Sequence, residues 1–160
     1  MTSPTVTVQT VPARKLAAVR RRVTIGAVGA TWKPALDLVW AFLRAHPGLR
    51  TDGHNVFVYH HPASRDAPMD VDFGVEVIRT FEREGEVAPA EAPAGEIATA
   101  VHVGPYDQLR HAHDAIHAWR AETGRAFAGT SWEIYGDWSD DPSKLETTIC
   151  YLLDTPVPRK

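Results

Sequence analysis

The sequence predicts an α+β fold: two tandem strand–helix–strand–strand modules forming one pseudo-symmetric domain, with a curved antiparallel sheet and two main helices. Three observations carry this. Stretches of alternating apolar and polar residues give way twice to a stretch of helical period, in the same order each time. A segment dominated by Ala, Pro, Glu and Gly, residues 82–95, separates the two occurrences and reads as a linker. The seven residues from Gly53 to Tyr59 (Gly-His-Asn-Val-Phe-Val-Tyr) also lie over the seven from Gly129 to Tyr135 (Gly-Thr-Ser-Trp-Glu-Ile-Tyr) without a gap, glycine on glycine and tyrosine on tyrosine. One module alone has too little structure to cover both faces of its sheet, and pairing two solves that. The expected domain spans residues 1–160, with module one over about 6–80 and module two over about 96–154, and a groove where they meet.

In module one, Val6, Val8 and Val11 alternate with polar residues as a strand does, and Pro12 breaks the pattern. Residues 16–27 read as a second extended stretch, with Gly26, Gly29 and Pro34 marking a turn. Leu36, Val39, Trp40 and Leu43 then fall at helical spacing over 33–45, with Pro34 suited to the first turn and His46-Pro47-Gly48 to the end. Strands follow at 55–60 and 71–78, joined by a polar loop at 62–68. In module two, 96–103 alternates, Gly104-Pro105 turns the chain, and 107–122 places Leu109, Ala112, Ile116 and Trp119 on one helical stripe. Thr123-Gly124 stops that helix. Strands at 130–138 and 145–153 enclose a turn at 139–143.

The bulk composition excludes several classes of function. With 44% hydrophobic and 23% charged residues, the 160-residue chain has an ordinary globular balance. A formal net charge of −3 argues against direct binding of nucleic acid, and the run Arg20, Arg21, Arg22 reads as a solvated stretch of strand or loop. Cys150 is the only cysteine, so no intrachain disulfide forms, which suits a reducing cytoplasm. No apolar run is long enough to span a membrane, and Met1-Thr2-Ser3-Pro4 lacks a signal-peptide pattern and reads as a short lead-in.

The second module carries a recognisable text. His102-Val103-Gly104-Pro105-Tyr106, followed by an amphipathic helix with Trp119, resembles the His-x-Gly-Pro-Tyr segment of the GyrI-like, AraC-type effector-binding family. Pro93-Ala94-Gly95-Glu96 is similar to that family's Pro-Ala-Gly lead-in, and Trp132-Glu133-Ile134-Tyr135 to its glutamate-plus-tyrosine strand. The resemblance runs from about Val6 to Leu153, the first half matching in outline only. It implies a pocket for varied, often aromatic and cationic, small molecules, as in multidrug-sensing transcription regulators. It also implies relatives that inhibit gyrase through protein contacts and relatives that hydrolyse strained cyclopropane-bearing toxins. The sequence has no extra segment for a helix-turn-helix, so a stand-alone effector-binding or drug-sequestering protein is expected.

Strand alternation puts Trp132 and Ile134 on one face and Glu133 and Tyr135 on the other. The expectation is that Trp132 and Ile134 pack on a helix while Glu133 and Tyr135 face the groove. As an anion Glu133 attracts a cation, and aromatic rings nearby add about 0.5–2 kcal/mol each. As a general base it activates water if burial raises its pKa toward neutrality, with Tyr135 or Tyr106 positioning the substrate. An exposed Glu133 on an edge strand is the plain alternative. The repeat argues otherwise, because the matching position is Phe57, and a charged, dry, unpaired carboxylate there costs several kcal/mol.

Tyr106, Tyr135, Tyr59, Trp40 and Trp119 are the candidate walls, with Trp40 and Trp119 equally readable as core residues. Glu76 is a second candidate carboxylate, across the groove or facing water. His113 and His117 share a helix face, but no third ligand is evident, so neither a metal nor a cofactor is expected. His113 reads as packed at the edge of a polar helix face. A haem-binding reading similar to SOUL-type proteins rests on His113 and the surplus of histidines. Nucleophilic catalysis is weaker still: Ser131 has no acid–base pair near it in sequence, and Cys150 sits on an expected buried strand.

Overall fold

The structure is a computed structural model that describes residues 4–154 apart from 63, 65, 66 and 138. Met1, Thr2 and Ser3 of the lead-in, Trp138 at the end of one expected strand and part of the 62–68 loop lie outside the described residues. Strands β1 (Thr7–Val11) and β2 (Arg14–Val23) lead into helix α1 (Val28–Ala45), then β3 (Arg50–His60) and β4 (Met69–Val77). The second set is β5 (Val87–Ala92), β6 (Gly95–Val103), helix α2 (Arg110–Thr123), β7 (Phe127–Tyr135) and β8 (Glu146–Leu153). Among the described residues no helix is long and apolar enough to cross a membrane.

All eight strands form one antiparallel sheet in the order β1-β6-β8-β7-β3-β4-β2-β5. The order is symmetric about the β7–β3 pair. Phe57 stands opposite Glu133 there, and these are also the two positions matched by the internal repeat. The pseudo-twofold axis therefore passes between Phe57 and Glu133.

The sheet has to curl. Only Pro93 and Ala94 join β5 to β6, a reach of roughly 11 Å from Ala92 to Gly95. In a flat sheet these strands would be six spacings, roughly 29 Å, apart. Curling brings residues of both edges, Val11 and Ala92 among them, into one apolar cluster with Leu16, Ile97, Trp132 and Cys150 on the helix-free face. The helices share the opposite face. Helix α1 covers β2 and β4 through Leu36, Val39 and Leu43, and α2 covers β6 and β8 through Ala112 and Ile116.

Several boundaries differ from the sequence expectation. Residues 87–92 of the expected linker form β5, because its backbone pairs with β2 from Arg14↔Ala92 to Val19↔Val87 and Val87 and Ala92 are buried. Pairing overrides the Pro and Gly content. Helix α1 starts at Val28, so Gly29 is helical and Pro34 lies inside the helix. Packing of its apolar face offsets the helix-interior cost of glycine, about 1 kcal/mol. Helix α2 begins after a separate 3-10 turn, Tyr106–Gln108, and Gly124 ends it with φ 73°, a left-handed conformation suited to glycine. Strand β7 starts three residues early, and Gly129 (φ 93°) sits where its register with β8 shifts. Arg20, Arg21 and Arg22 lie on β2 and pair with Asp72, Glu86 and Asp70.

Gly74 on β4 marks a close approach at the centre of the first module. A Cβ there would stand 3.0 Å from the Ala17 carbonyl oxygen, 3.1 Å from the Ala18 Cβ and 3.3 Å from the Val56 carbonyl oxygen. Backbone crowds it from strands on both sides and cannot yield locally. Gly74→Ala is expected to lower stability by about 1–3 kcal/mol in urea unfolding, and an unchanged midpoint would contradict this close packing.

Candidate functional site

Since α1 sits over one half of the sheet and α2 over the other, the middle strands β3 and β7 form the floor between them. Ser131, Glu133 and Tyr135 rise from β7, and Phe57 and Tyr59 from β3. The expected pairing of faces is thus corrected. Trp132 and Ile134 join the helix-free cluster, while Glu133 and Tyr135 share the face that carries the helices. Period-two alternation separates the two sets but does not say which face the helices take.

Glu133 is 5% exposed. Its Oε1 accepts from the Tyr59 hydroxyl at 2.6 Å and the Tyr135 hydroxyl at 2.7 Å, and its Oε2 accepts from His113 Nε2 at 2.8 Å. His113 Nδ1 stands 2.7 Å from the Tyr151 hydroxyl oxygen, which lies 3.4 Å from His117 Nε2. Burial pushes the Glu133 pKa up. The hydrogen bond and charge of His113 and the two tyrosine hydroxyls outweigh it, holding the carboxyl below the usual carboxylate range. Burial, then the Glu133 charge, push both Tyr59 and Tyr135 upward, so the two remain protonated donors.

The aromatic surroundings are extensive. The Tyr135 ring packs edge-on to Phe57 at 4.9 Å and to Tyr106 at 5.5 Å, and Trp32 of α1, 38% exposed, reaches Phe57 at 6.2 Å. Of the expected residues, the structure thus gathers Glu133, Tyr135, Tyr59 and Tyr106. Trp40 and Trp119 pack against the apolar clusters beneath α1 and α2, and Glu76 pairs with Arg14 at 3.2 Å on the helix-free face, which corrects its placement across the groove.

Other site residues escaped the sequence reading. His113 is a member of the cluster and not merely an edge residue. With both ring nitrogens engaged it offers none to a haem iron. Its i, i+4 partner His117 and the matched pair Tyr59/Tyr135 were the available signals. His61 Nε2 stands 2.7 Å from Ser131 Oγ, a long-range pair that local sequence does not show. Burial, then neighbouring His113 and His117, lower the His61 pKa. Cys150 is buried on the other face, its thiol pushed up to about 11 by burial. A cavity of about 400 Å³ also lies on that face, against Trp132, Ile97 and Arg14. Among the described residues its lining includes no carboxylate and none of the Glu133 partners. Among the described residues no group of three His, Cys, Asp or Glu side chains is arranged to hold a metal ion.

A lowered folded-state pKa means that Glu133 binds fewer protons folded than unfolded near its titration. Its stabilising contribution is complete above the unfolded carboxylate pKa, about 4.3, and is lost as pH falls through the lower folded value. Glu133→Gln removes this linkage. Urea unfolding from about pH 6 to about pH 2 is expected to show a shallower acid loss of stability in the variant, and parallel curves would contradict the assignment.

A profile of the GyrI-like small molecule binding domain matches residues 4–153. No curated protein sequence matches the chain. Among solved structures, the C-terminal domain of EcmrR superposes with a TM-score of 0.78 at 23% identity, over 96% of this chain and 99% of that domain. In the complex of EcmrR with DNA the match covers 58% of the longer EcmrR chain. SAV2435 bound to tetraphenylphosphonium superposes with a TM-score of 0.71 at 9% identity, over 94% of each chain. A hydrolase from Listeria innocua superposes with a TM-score of 0.63 at 15% identity, over 96% of this chain and 94% of that one. At such identities these structures share the fold, while the profile spans nearly the whole chain: the chain belongs to the GyrI-like small molecule binding domain family.

Proposed function

We propose that the groove between α1 and α2 binds an aromatic or otherwise apolar cation, with Glu133 as the counter-charge. The observation that carries this is a carboxylate, 5% exposed, in contact with three hydrogen-bonding side chains and set among aromatic rings. Within the cluster of Glu133, Tyr59, Tyr135, His113 and Tyr151, Glu133 is the one carboxylate, and it is buried. A cation there offsets the desolvation of Glu133, and the rings add cation–π attraction of about 0.5–2 kcal/mol each. The lipophilic cation carried by SAV2435 fits the same chemistry.

The hydrolytic alternative asks Glu133 to take a proton from water. Its three donors work against that by lowering its proton affinity, so binding is the better-supported use. A cytoplasmic setting agrees with the lone, buried thiol, and a partner that binds DNA, if one acts with this chain, must be a separate segment or protein. Each of the three consecutive arginines faces a carboxylate, which reduces the positive charge this stretch presents to a nucleic acid.

Titration calorimetry with an aromatic trimethylammonium ion and its uncharged tert-butyl isostere tests the charge role. Glu133→Gln is expected to weaken the cation at least about tenfold and the neutral compound far less. Equal losses for both compounds would overturn the counter-charge assignment.

A further inference from the structure

Two buried polar atoms lack a hydrogen-bond partner among the described residues: Asn55 Oδ1 and Thr147 Oγ1. Such groups are rare in folded proteins, because each forfeits its hydration without recompense. Their placement is specific. Thr147 stands directly opposite Tyr135 in the β7–β8 ladder, and Asn55 precedes Val56, which stands opposite Ile134. Asn55 and Thr147 therefore flank Tyr135 on the helix-bearing face, one row of the sheet from Glu133. The Tyr106 ring, 37% exposed, lies edge-on to Tyr135, the residue between Asn55 and Thr147. Glu133 itself has spare capacity. A carboxylate offers about four acceptor positions, and three are used among the described residues.

Resting on the cation-binding reading of this groove, we infer that its ligand is a cation carrying several N–H donors, an aromatic amidinium, guanidinium or primary ammonium, in preference to a fully alkylated onium ion. The free position on Glu133, the Asn55 amide oxygen and the Thr147 hydroxyl form a set of acceptors in two adjacent rows. A quaternary ion satisfies the charge of Glu133 and leaves all three acceptors unmet. A protonated nitrogen base satisfies both charge and acceptors.

The test uses the whole chain and two aromatic cations on one frame, an amidinium and a trimethylammonium, measured by calorimetry near neutral pH. The amidinium is expected to bind the unaltered protein at least about tenfold more tightly, the scale of one or two charge-assisted hydrogen bonds. Thr147→Val, which keeps the shape and removes an unmet hydroxyl, and Asn55→Leu are each expected to weaken the amidinium by several-fold to about tenfold and to leave the trimethylammonium ion unchanged. Equal affinity of the two cations, or equal losses for both in the variants, would overturn the donor requirement while the counter-charge reading stands. Failure of both cations to bind the unaltered protein would overturn the two together.

Discussion

The arrangement depends on one carboxylate placed at an axis of internal symmetry. The repeat makes Phe57 and Glu133 equivalent, and the β3–β7 ladder sets them side by side. Strict symmetry would put the same residue at both places. Two glutamates there would be like charges in direct apposition in a dry site, and two phenylalanines would leave no charge at all. The sequence breaks the symmetry once, at the position where breaking it has most effect. It keeps the symmetry at the tyrosines, so that Tyr59 and Tyr135 reach the same oxygen from either side. A charge that would be costly alone is then held by three donors, and it remains ionised because those donors outweigh burial.

The curled sheet makes this possible. The two-residue link from β5 to β6 forces the edges toward each other and gives the helix-free face an apolar cluster of its own around Trp132. Both helices are then carried on the other face, each over its own module. The central strands lie between the two helices, where Trp32 of α1 reaches Phe57 and His113 of α2 reaches Glu133, and a polar cluster sits there with aromatic sides. The pKa direction has a chemical corollary: the same donors that hold Glu133 ionised make it a poor proton acceptor. Binding and base catalysis ask opposite things of this carboxylate, and its partners favour the first.

Much of this was legible in the sequence, for reasons that can be named. Helical period, strand alternation and the gapless match of residues 53–59 with 129–135 are local signals and were enough for the module order, while turning Glu133 and Tyr135 toward the groove also took the resemblance carried by Trp132-Glu133-Ile134-Tyr135. Which face the helices take is not local, so Trp132 and Ile134 were assigned to the wrong neighbours. β5 was hidden because Pro and Gly in residues 82–95 read as linker, while the pairing with β2 that makes the strand lies some seventy residues away. His113 looked like one polar residue on a polar helix face. Its role emerges only when α2 packs over β6 and β8 and brings its ring to Glu133 and Tyr151. Glu76 had the right chemistry, but the pleat puts it on the other side of the sheet.

The central claim concerns place, and a crystal structure of the protein with an aromatic trimethylammonium ion tests it most directly. The account expects the ion over the β3–β7 floor between the helices, its charged centre nearest Glu133 and its ring against Tyr135 or Tyr106. An ion seated instead in the cavity on the helix-free face, against Trp132 and Ile97, with the Glu133 cluster undisturbed, would contradict it.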